Sequence, residues 1–153
     1  MANTYSQIYI QYVFTVKGRQ NLLKKPWRED VFKYISGIIT EKKQKSIIVN
    51  GVEDHVHVFV GLKASMNISD LARDLKNNSS KFINEKGYLK TKFEWQVGFG
   101  AFSYSSSHID NVYKYIENQE QHHKKKAFKK EFLELLKKYE IEYDDKYLFD
   151  WIE

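Results

Sequence analysis

Two histidines separated by a single residue, His55 and His57, are the side chains in this sequence that most readily suggest chemistry. They lie in the stretch 53–60, where valines alternate with other residues as they do along a β-strand. On a strand both imidazoles point to one face, about 7 Å apart, while the valines point to the other. Such a pair can bind one metal ion, although a half-exposed strand face would give the same pattern. A further ligand elsewhere in the chain would favour the metal site.

A predicted helix at about residues 107–123 offers that further ligand. Its core stripe recurs at helical spacing and consists of Ile109, Val112 and Ile116. Tyr113 falls inside the stripe, so we expect it to be structural. Tyr115 lies off the centre of the stripe, and Gln119 follows one turn later on the same flank. We therefore expect Tyr115 to be the tyrosine that can react, with Gln119 beside it.

The residue types in these two groups suit phosphodiester chemistry. A phenol has an ordinary pKa of about 10, so it is a weak nucleophile at neutral pH unless a cation polarises the phosphate. Two imidazoles and the amide oxygen of Gln119 would leave about three positions of an octahedral Mg²⁺ or Mn²⁺ open for phosphate oxygens and water. Such an incomplete ligand set favours catalysis over a structural metal. His122 could replace Gln119 as a ligand or contact DNA, or could be a solvated residue at a helix end.

Composition limits the class of protein. The chain has 153 residues, 42% hydrophobic and 29% charged, which is typical of one globular domain with its own core. Because there is no cysteine, disulfides, thiolate chemistry and cysteine zinc sites are excluded. No stretch approaches the ~20 apolar residues of a membrane span, and the N-terminus has no signal pattern. We expect a single domain over 1–153, located in the cytoplasm, with no membrane partner.

The charge balance is moderately basic, at +5. Lysines are concentrated in the segments 42–45 and 124–130. A phosphate backbone would suit these lysines, although lysines at helix ends are also commonly just solvated. Aromatic residues make up 16% of the chain, and any that are exposed could stack on unpaired bases. The composition therefore permits a nucleic-acid partner without requiring one.

The elements that must position the candidate residues follow in a regular order. Alternating apolar residues predict four strands, at about 5–16, 46–52, 53–62 and 93–104. Helical spacing predicts two helices between them, at about 26–43 and 67–86. This order is that of the ferredoxin-like, or split βαβ, arrangement. We predict an α+β fold: an antiparallel βαββαβ core over 5–104 with helices on one face, then the helix at 107–123 and a C-terminal helix and tail over 125–153.

Two consequences follow from this arrangement. The histidine strand is the third strand and therefore central, with both imidazoles on the bare face of the sheet, opposite the helices. Gly98 and Gly100 interrupt the fourth strand, which indicates a bulge or a place where another chain comes close. Pairing of that strand across a dimer axis would be one such approach.

Several motifs of this chain resemble those of one family. His55-Val56-His57 looks like the His-hydrophobic-His motif of single-strand endonucleases. The segment from Tyr115 to Gln119 looks like the tyrosine-x-x-x-glutamine helix of the single-tyrosine insertion-sequence transposases, which are related to the REP-associated tyrosine transposases. Four other segments match in the same order, at 14–19, 75–80, 95–103 and 143–148. The resemblance spans almost the whole chain.

The resemblance implies a DNA transposase that cuts and rejoins single-stranded DNA at the ends of an insertion sequence. Carried over residue by residue, Tyr115 would be the nucleophile that forms a 5′-phosphotyrosine. His55, His57 and Gln119 would hold a divalent metal, Mg²⁺ or Mn²⁺. The family also implies recognition of hairpins near the element ends, and a homodimer in which the tyrosine helix of one subunit can complete the site of the other.

We expect four basic residues to contact the DNA: Lys17, Arg19, Lys76 and Lys81. Three alternatives stay open. A non-catalytic hairpin-binding regulator derived from a transposase would share the fold but would not need His55, His57 and Tyr115 together. A relaxase or replication initiator would use the same chemistry within a longer chain. A metal-dependent hydrolase would cleave DNA without any covalent adduct.

Overall fold

The computed structural model describes residues 4–123 and 128–141. Within them, four antiparallel strands form one sheet: β1 (Ile8–Thr15), β2 (Lys45–Gly51), β3 (His55–Leu62) and β4 (Gly100–Tyr104). The strand order is β2-β3-β1-β4, so β1 and β3 are central. Two helices connect the strands, α1 (Lys25–Glu41) and α2 (Ile68–Lys86). The resulting βαββαβ order is that of the ferredoxin-like fold, and the predicted fold class is confirmed.

The main core lies between the sheet and the helices α1 and α2. Alternate residues of the central strands point into it and are buried: Ile10, Tyr12, Phe14, Val56, Val58 and Val60. The hydroxyl of Tyr12 donates to the carbonyl of Ile68 at the start of α2 (2.7 Å). This helix begins at the predicted cap, where the Asn67 side chain accepts from the backbone N–H of Asp70 (3.1 Å). It ends at Gly87, which is left-handed (φ 68°).

The fourth strand is shorter than predicted. Of the segment 93–104, only β4 runs along the sheet, and Trp95 keeps one isolated bridge to Val16. The chain turns away between them at Gly98, whose φ of 87° is incompatible with a strand. The ammonium of Lys76 holds this turn by donating to two loop carbonyls, one of them that of Gly98, at 2.7 Å each. The glycines therefore break the strand where a bulge was expected.

The face of the sheet opposite α1 and α2 is covered, so the prediction of a bare face was wrong. Three helices follow β4: α3 (Ile109–Glu117), α4 (Gln119–His123) and α5 (Phe128–Lys138). One apolar cluster lies under α3 and consists of Phe59, Val112 and Ile116. Another lies under α5 and consists of Val13, Phe102, Phe132 and Leu136. The apolar stripes of these helices need a surface to pack on, and this face of the sheet supplies it.

The predicted helix 107–123 is divided into two. It starts with a 3₁₀ turn (Ser106–His108), and α3 ends at Glu117. The next residue, Asn118, has a φ of −95° and a ψ of 25°, which separate α3 from α4. The predicted C-terminal helix exists as α5, while residues 142–153, including the motif 143–148, lie outside the described residues. None of the helices within 4–123 and 128–141 is both long and apolar enough to cross a membrane.

Candidate active site

The two histidines lie at the centre of the sheet, beneath the C-terminal helices. Because β3 alternates, His55 and His57 point away from the core shared with α1 and α2, as the sequence predicted. Both side chains are completely buried, and their ring centroids are 5.1 Å apart with the planes at 78°. Thr15 and Val13 of β1 lie opposite them in the sheet. The imidazoles are therefore held on a rigid central strand and shielded from bulk water.

His55 is oriented from both ends of its ring. Its Nδ1 lies 2.7 Å from Oδ1 of Asp54, the residue before it, and its Nε2 lies 3.2 Å from Oε1 of Gln119. When Nδ1 donates its proton to the carboxylate, Nε2 presents a lone pair toward the amide oxygen. Two electron-pair donors then face each other, which is the arrangement that a cation between them would satisfy. Asp54 was not predicted, and it is the usual kind of carboxylate partner of a metal-binding imidazole.

His57 is held by a chain of hydrogen bonds on the other side. The Gln11 side-chain amide bridges Tyr104 and His57, lying 2.8 Å from the Tyr104 hydroxyl and 2.7 Å from Nδ1 of His57. Nε2 of the imidazole lies 3.1 Å from Oε1 of Glu131. Burial lowers the pKa of His57 below its ordinary value of 6.5, the main reason being the loss of solvation of the charged ring. His57 is therefore neutral at physiological pH, which is the form that can bind a metal.

Tyr115 reaches the site from α3. Its ring lies edge-on to that of His57, with centroids 5.8 Å apart and planes at 86°. Burial raises its pKa above the ordinary value of 10, and the negative charge of Glu131 raises it further. The phenol is thus fully protonated at neutral pH. Tyr113 is 38% exposed and lies outside the core stripe that was predicted for it.

Gln119 is completely buried at the first position of α4. The break at Asn118 turns it inward, and Asn50 of β2 fixes the preceding turn by donating to the carbonyls of Ile116 (3.0 Å) and Glu117 (3.1 Å). In the next position, Glu120 accepts from Arg28 of α1 at 2.6 Å. The amide of Gln119 therefore approaches His55 because both ends of the turn are anchored to the body of the fold.

Glu131 of α5 is a site residue that the sequence reasoning missed. It is 4% exposed, and its carboxylate contacts His57 and hydrogen-bonds with Tyr115. Burial alone would raise its pKa, but these hydrogen bonds and the nearby imidazoles lower it to about 2. One signal was available in the sequence. Glu131 directly precedes Phe132 and falls on the apolar stripe of α5, where charged residues are uncommon.

The donor set fits a divalent cation. The ligand atoms of His55, His57 and Glu131 all lie within 4.8 Å of one another, and the amide oxygen of Gln119 lies beside His55. Two imidazole nitrogens with one or two oxygen donors suit Mn²⁺, Mg²⁺ and related ions. A cavity of about 340 Å³ between α3 and α5 opens at Tyr115 and is also lined by Tyr104, Asn111 and Glu131. A phosphate group could enter the site through this cavity.

The four predicted DNA contacts do not form one cluster. Lys17 is exposed beside Glu94 (3.3 Å), and Arg19 is partly buried, 3.6 Å from the carboxylate of Asp54. Lys76 and Lys81 lie on α2, which covers the opposite face of the sheet from the histidines. They line a cleft of about 510 Å³ together with Lys92, Trp95 and Glu94, the ion-pair partner of Lys17, among others. The side chain of His122 lies outside the described residues.

Comparison with known proteins shows the family of the chain. The family model described as "Transposase IS200 like" matches residues 4–119, which is more than half of the chain. No curated protein matches the sequence significantly.

Two solved structures have a similar fold. A candidate transposase from Deinococcus radiodurans R1 is 18% identical, with a TM-score of 0.64, and the match covers 78% of this chain and 95% of that one. A REP-associated tyrosine transposase bound to a REP hairpin is 14% identical, with a TM-score of 0.60, covering 80% of this chain and 73% of that one. These likenesses concern the fold, and the family match concerns the sequence. The chain belongs to the IS200-like transposase family.

Proposed function

We propose that this transposase cuts and rejoins single-stranded DNA at the ends of an insertion sequence through a covalent bond to Tyr115. The observation that carries the proposal is the edge-on approach of the Tyr115 ring to His57, with Gln119 and His55 alongside in the same chain. Tyr115 is half-buried, and its phenol lies next to the paired imidazoles. This position suits a nucleophile that must meet a metal-bound phosphate.

The reaction we propose is an exchange of phosphodiester bonds. The Tyr115 oxygen forms a bond to phosphorus, the bond from phosphorus to the 3′ oxygen breaks, and that oxygen leaves as a 3′-hydroxyl with the proton that the phenol gives up. The product is a 5′-phosphotyrosine. A 3′-hydroxyl of another strand can then attack the same phosphorus and restore the phenol, so no nucleotide cofactor is needed.

We propose that His55, His57 and Gln119 hold a divalent cation, Mg²⁺ or Mn²⁺, as the family resemblance implies. The cation would polarise the scissile phosphate and stabilise charge that develops on it. This role is needed because the pKa of Tyr115 is raised, so the protonated phenol is a poor nucleophile without such help. Gln11 and Asp54 orient the two rings through their Nδ1 atoms.

The proposed substrate is single-stranded DNA with hairpins near the element ends. One similar structure is a REP-associated tyrosine transposase bound to a REP hairpin, which supports a folded DNA strand as partner. Lys17, Arg19, Lys76 and Lys81 remain the proposed contacts to the DNA backbone. We also propose a homodimer. In the single chain Tyr115 already lies beside its own histidines, so a site within one subunit is geometrically possible.

A covalent adduct distinguishes this proposal from its rivals. The purified protein is incubated with Mn²⁺ and a single-stranded oligonucleotide that carries one element end, and the products are separated on a denaturing gel. We expect a protein–DNA band that disappears in Tyr115→Phe and in His57→Ala but persists in the matched control Tyr113→Phe. Cleavage without the band would indicate a hydrolase that uses water. Binding without cleavage would indicate a regulator.

A further inference from the structure

Glu131 is the one carboxylate that α5, as far as its side chains are described, directs into the site beside His57. Its neighbours on the same face, Phe132 and Leu136, are buried and apolar, and Glu131 itself is only 4% exposed. An ionised carboxylate in such a place is strongly destabilising unless a cation or several hydrogen bonds compensate for the lost water. A cation held between Glu131 and the histidines would supply such compensation.

The position of Glu131 relative to the histidines is compatible with one ion. Ligands about 2.0–2.2 Å from a common ion lie at most ~4.4 Å apart. The candidate ligand atoms of Glu131, His55 and His57 lie within 4.8 Å of one another, so small side-chain rotations suffice. The carboxylate is already 3.1 Å from Nε2 of His57, the atom that faces the shared space.

We propose that Glu131 is a ligand of the divalent cation, in addition to the histidines and Gln119. This inference rests on the proposed function, because it concerns the same ion. Two neutral imidazoles and an amide leave both charges of the cation uncompensated, and one carboxylate removes half of that charge. The resulting four protein ligands leave two positions of an octahedron for phosphate oxygen and water.

The proposal links metal binding to the docking of α5. Phe132, next to Glu131, packs against Phe102 (ring centroids 6.2 Å apart) and against the backbone of Gly100 in β4. These apolar contacts hold α5 on the sheet, and the cation would add a bond from the same helix to β3. Metal binding is therefore expected to stabilise the docked position of α5.

The test is Mn²⁺ affinity, measured on the full chain without DNA from the electron paramagnetic resonance signal of free Mn²⁺. We expect Glu131→Gln, which keeps the shape but removes the charge, to weaken binding by about tenfold or more. The matched control Glu134→Gln, an exposed carboxylate one turn further along α5, should stay within about twofold of wild type. Far-UV circular dichroism without metal verifies folding. Glu131→Asp, which keeps the charge, should bind more tightly than Glu131→Gln.

A His57→Ala variant separates the two proposals. Loss of binding in His57→Ala with unchanged binding in Glu131→Gln would overturn the role of Glu131 while leaving the metal site intact. Absence of Mn²⁺ binding by the wild-type protein would overturn both the metal site and the ligand role. A second readout is thermal unfolding, where saturating Mn²⁺ should raise the melting temperature of the wild type more than that of Glu131→Gln.

Discussion

Nε2 of His55 and the amide oxygen of Gln119 lie 3.2 Å apart, although the residues are 64 positions apart in the sequence. The first comes from a central strand, and the second from a turn after α3. When the other ring nitrogen donates its N–H to Asp54, both atoms offer electron pairs to the same point. This meeting of strand and turn is the basis of the proposed metal site.

Replacing Asp54 with Asn should weaken the metal site without removing a ligand. The carboxylate lies 2.7 Å from Nδ1 of His55 and fixes the ring orientation and its basicity. Loss of such a partner typically lowers metal affinity by about 10–100-fold. Mn²⁺ titration of Asp54→Asn measures the effect, and Glu53→Gln, an exposed neighbouring carboxylate, serves as the control. Equal affinity in Asp54→Asn and wild type would show that the carboxylate does not support the site.

The metal-free protein should lose stability when the pH falls below about 6.5. Burial lowers the pKa of His57 in the folded state, so between that pKa and 6.5 the unfolded chain binds more protons than the folded one. The free energy of unfolding then decreases on acidification by up to about 1.4 kcal/mol per pH unit from this residue. Urea unfolding at pH 7, 6 and 5 tests this.

The control for this pH dependence is His108, which is exposed. His57→Gln should flatten the change in stability between pH 6.5 and 5, whereas His108→Gln should keep it. A second fall is expected between about pH 4.5 and 2, where Glu131 protonates in the unfolded chain but stays ionised in the folded one. If the free energy of unfolding depended on pH in the same way in His57→Gln and wild type, the lowered pKa of His57 would be contradicted.

Gly100→Ala should disturb the docking of α5. A Cβ at this position would lie 2.8 Å from Cε1 of Phe132, so the ring next to Glu131 must move. Overpacking of this kind typically costs about 1–3 kcal/mol. Gly37→Ala in α1, where the added Cβ meets nothing within 4 Å, should instead stabilise the protein by about 0.5–1 kcal/mol. Thermal or urea unfolding of both variants measures these effects. A Gly100→Ala variant as stable as wild type would contradict the close packing of Phe132 on Gly100.

Lys81 and Lys76 should behave differently although they line the same cleft. The ammonium of Lys81 is exposed, so Lys81→Gln should weaken DNA binding and reduce the salt dependence by about one counterion, with stability unchanged. Lys76→Gln should also destabilise the fold, because this ammonium binds the carbonyls of Gln96 and Gly98. Fluorescence anisotropy with labelled single-stranded DNA over a range of salt, together with unfolding curves, separates the two effects. Unchanged DNA affinity in Lys81→Gln would show that DNA does not bind in this cleft.

The strand that carries the histidines could be predicted because its pattern depends only on residues that are close in the sequence. Alternation along 53–60 assigns the valines to the core and the imidazoles to the other face, whatever lies above that face. Helical spacing likewise separates Tyr115 from the stripe of Val112 and Ile116. These short-range patterns also determine the order of the elements, and hence the ferredoxin-like sheet.

The remaining features depend on contacts between distant parts of the chain. Glu131 and His57 are 74 positions apart, and no local pattern shows that α5 lies on the histidine face. Tyr113 was placed in the core by its spacing, but the residue is 38% exposed. The turn at Gly98 is bound by the ammonium of Lys76, which lies on α2, 22 positions earlier in the sequence.

Locating the residue that becomes bonded to DNA tests the role of Tyr115 as nucleophile. The protein–DNA adduct formed with Mn²⁺ is digested with nuclease and protease, and the modified peptide is sequenced by tandem mass spectrometry. We expect a 5′-phosphonucleotide on the oxygen of Tyr115 and none on Tyr113. A nucleotide on any other residue, or strand cleavage with no modified peptide, would contradict it.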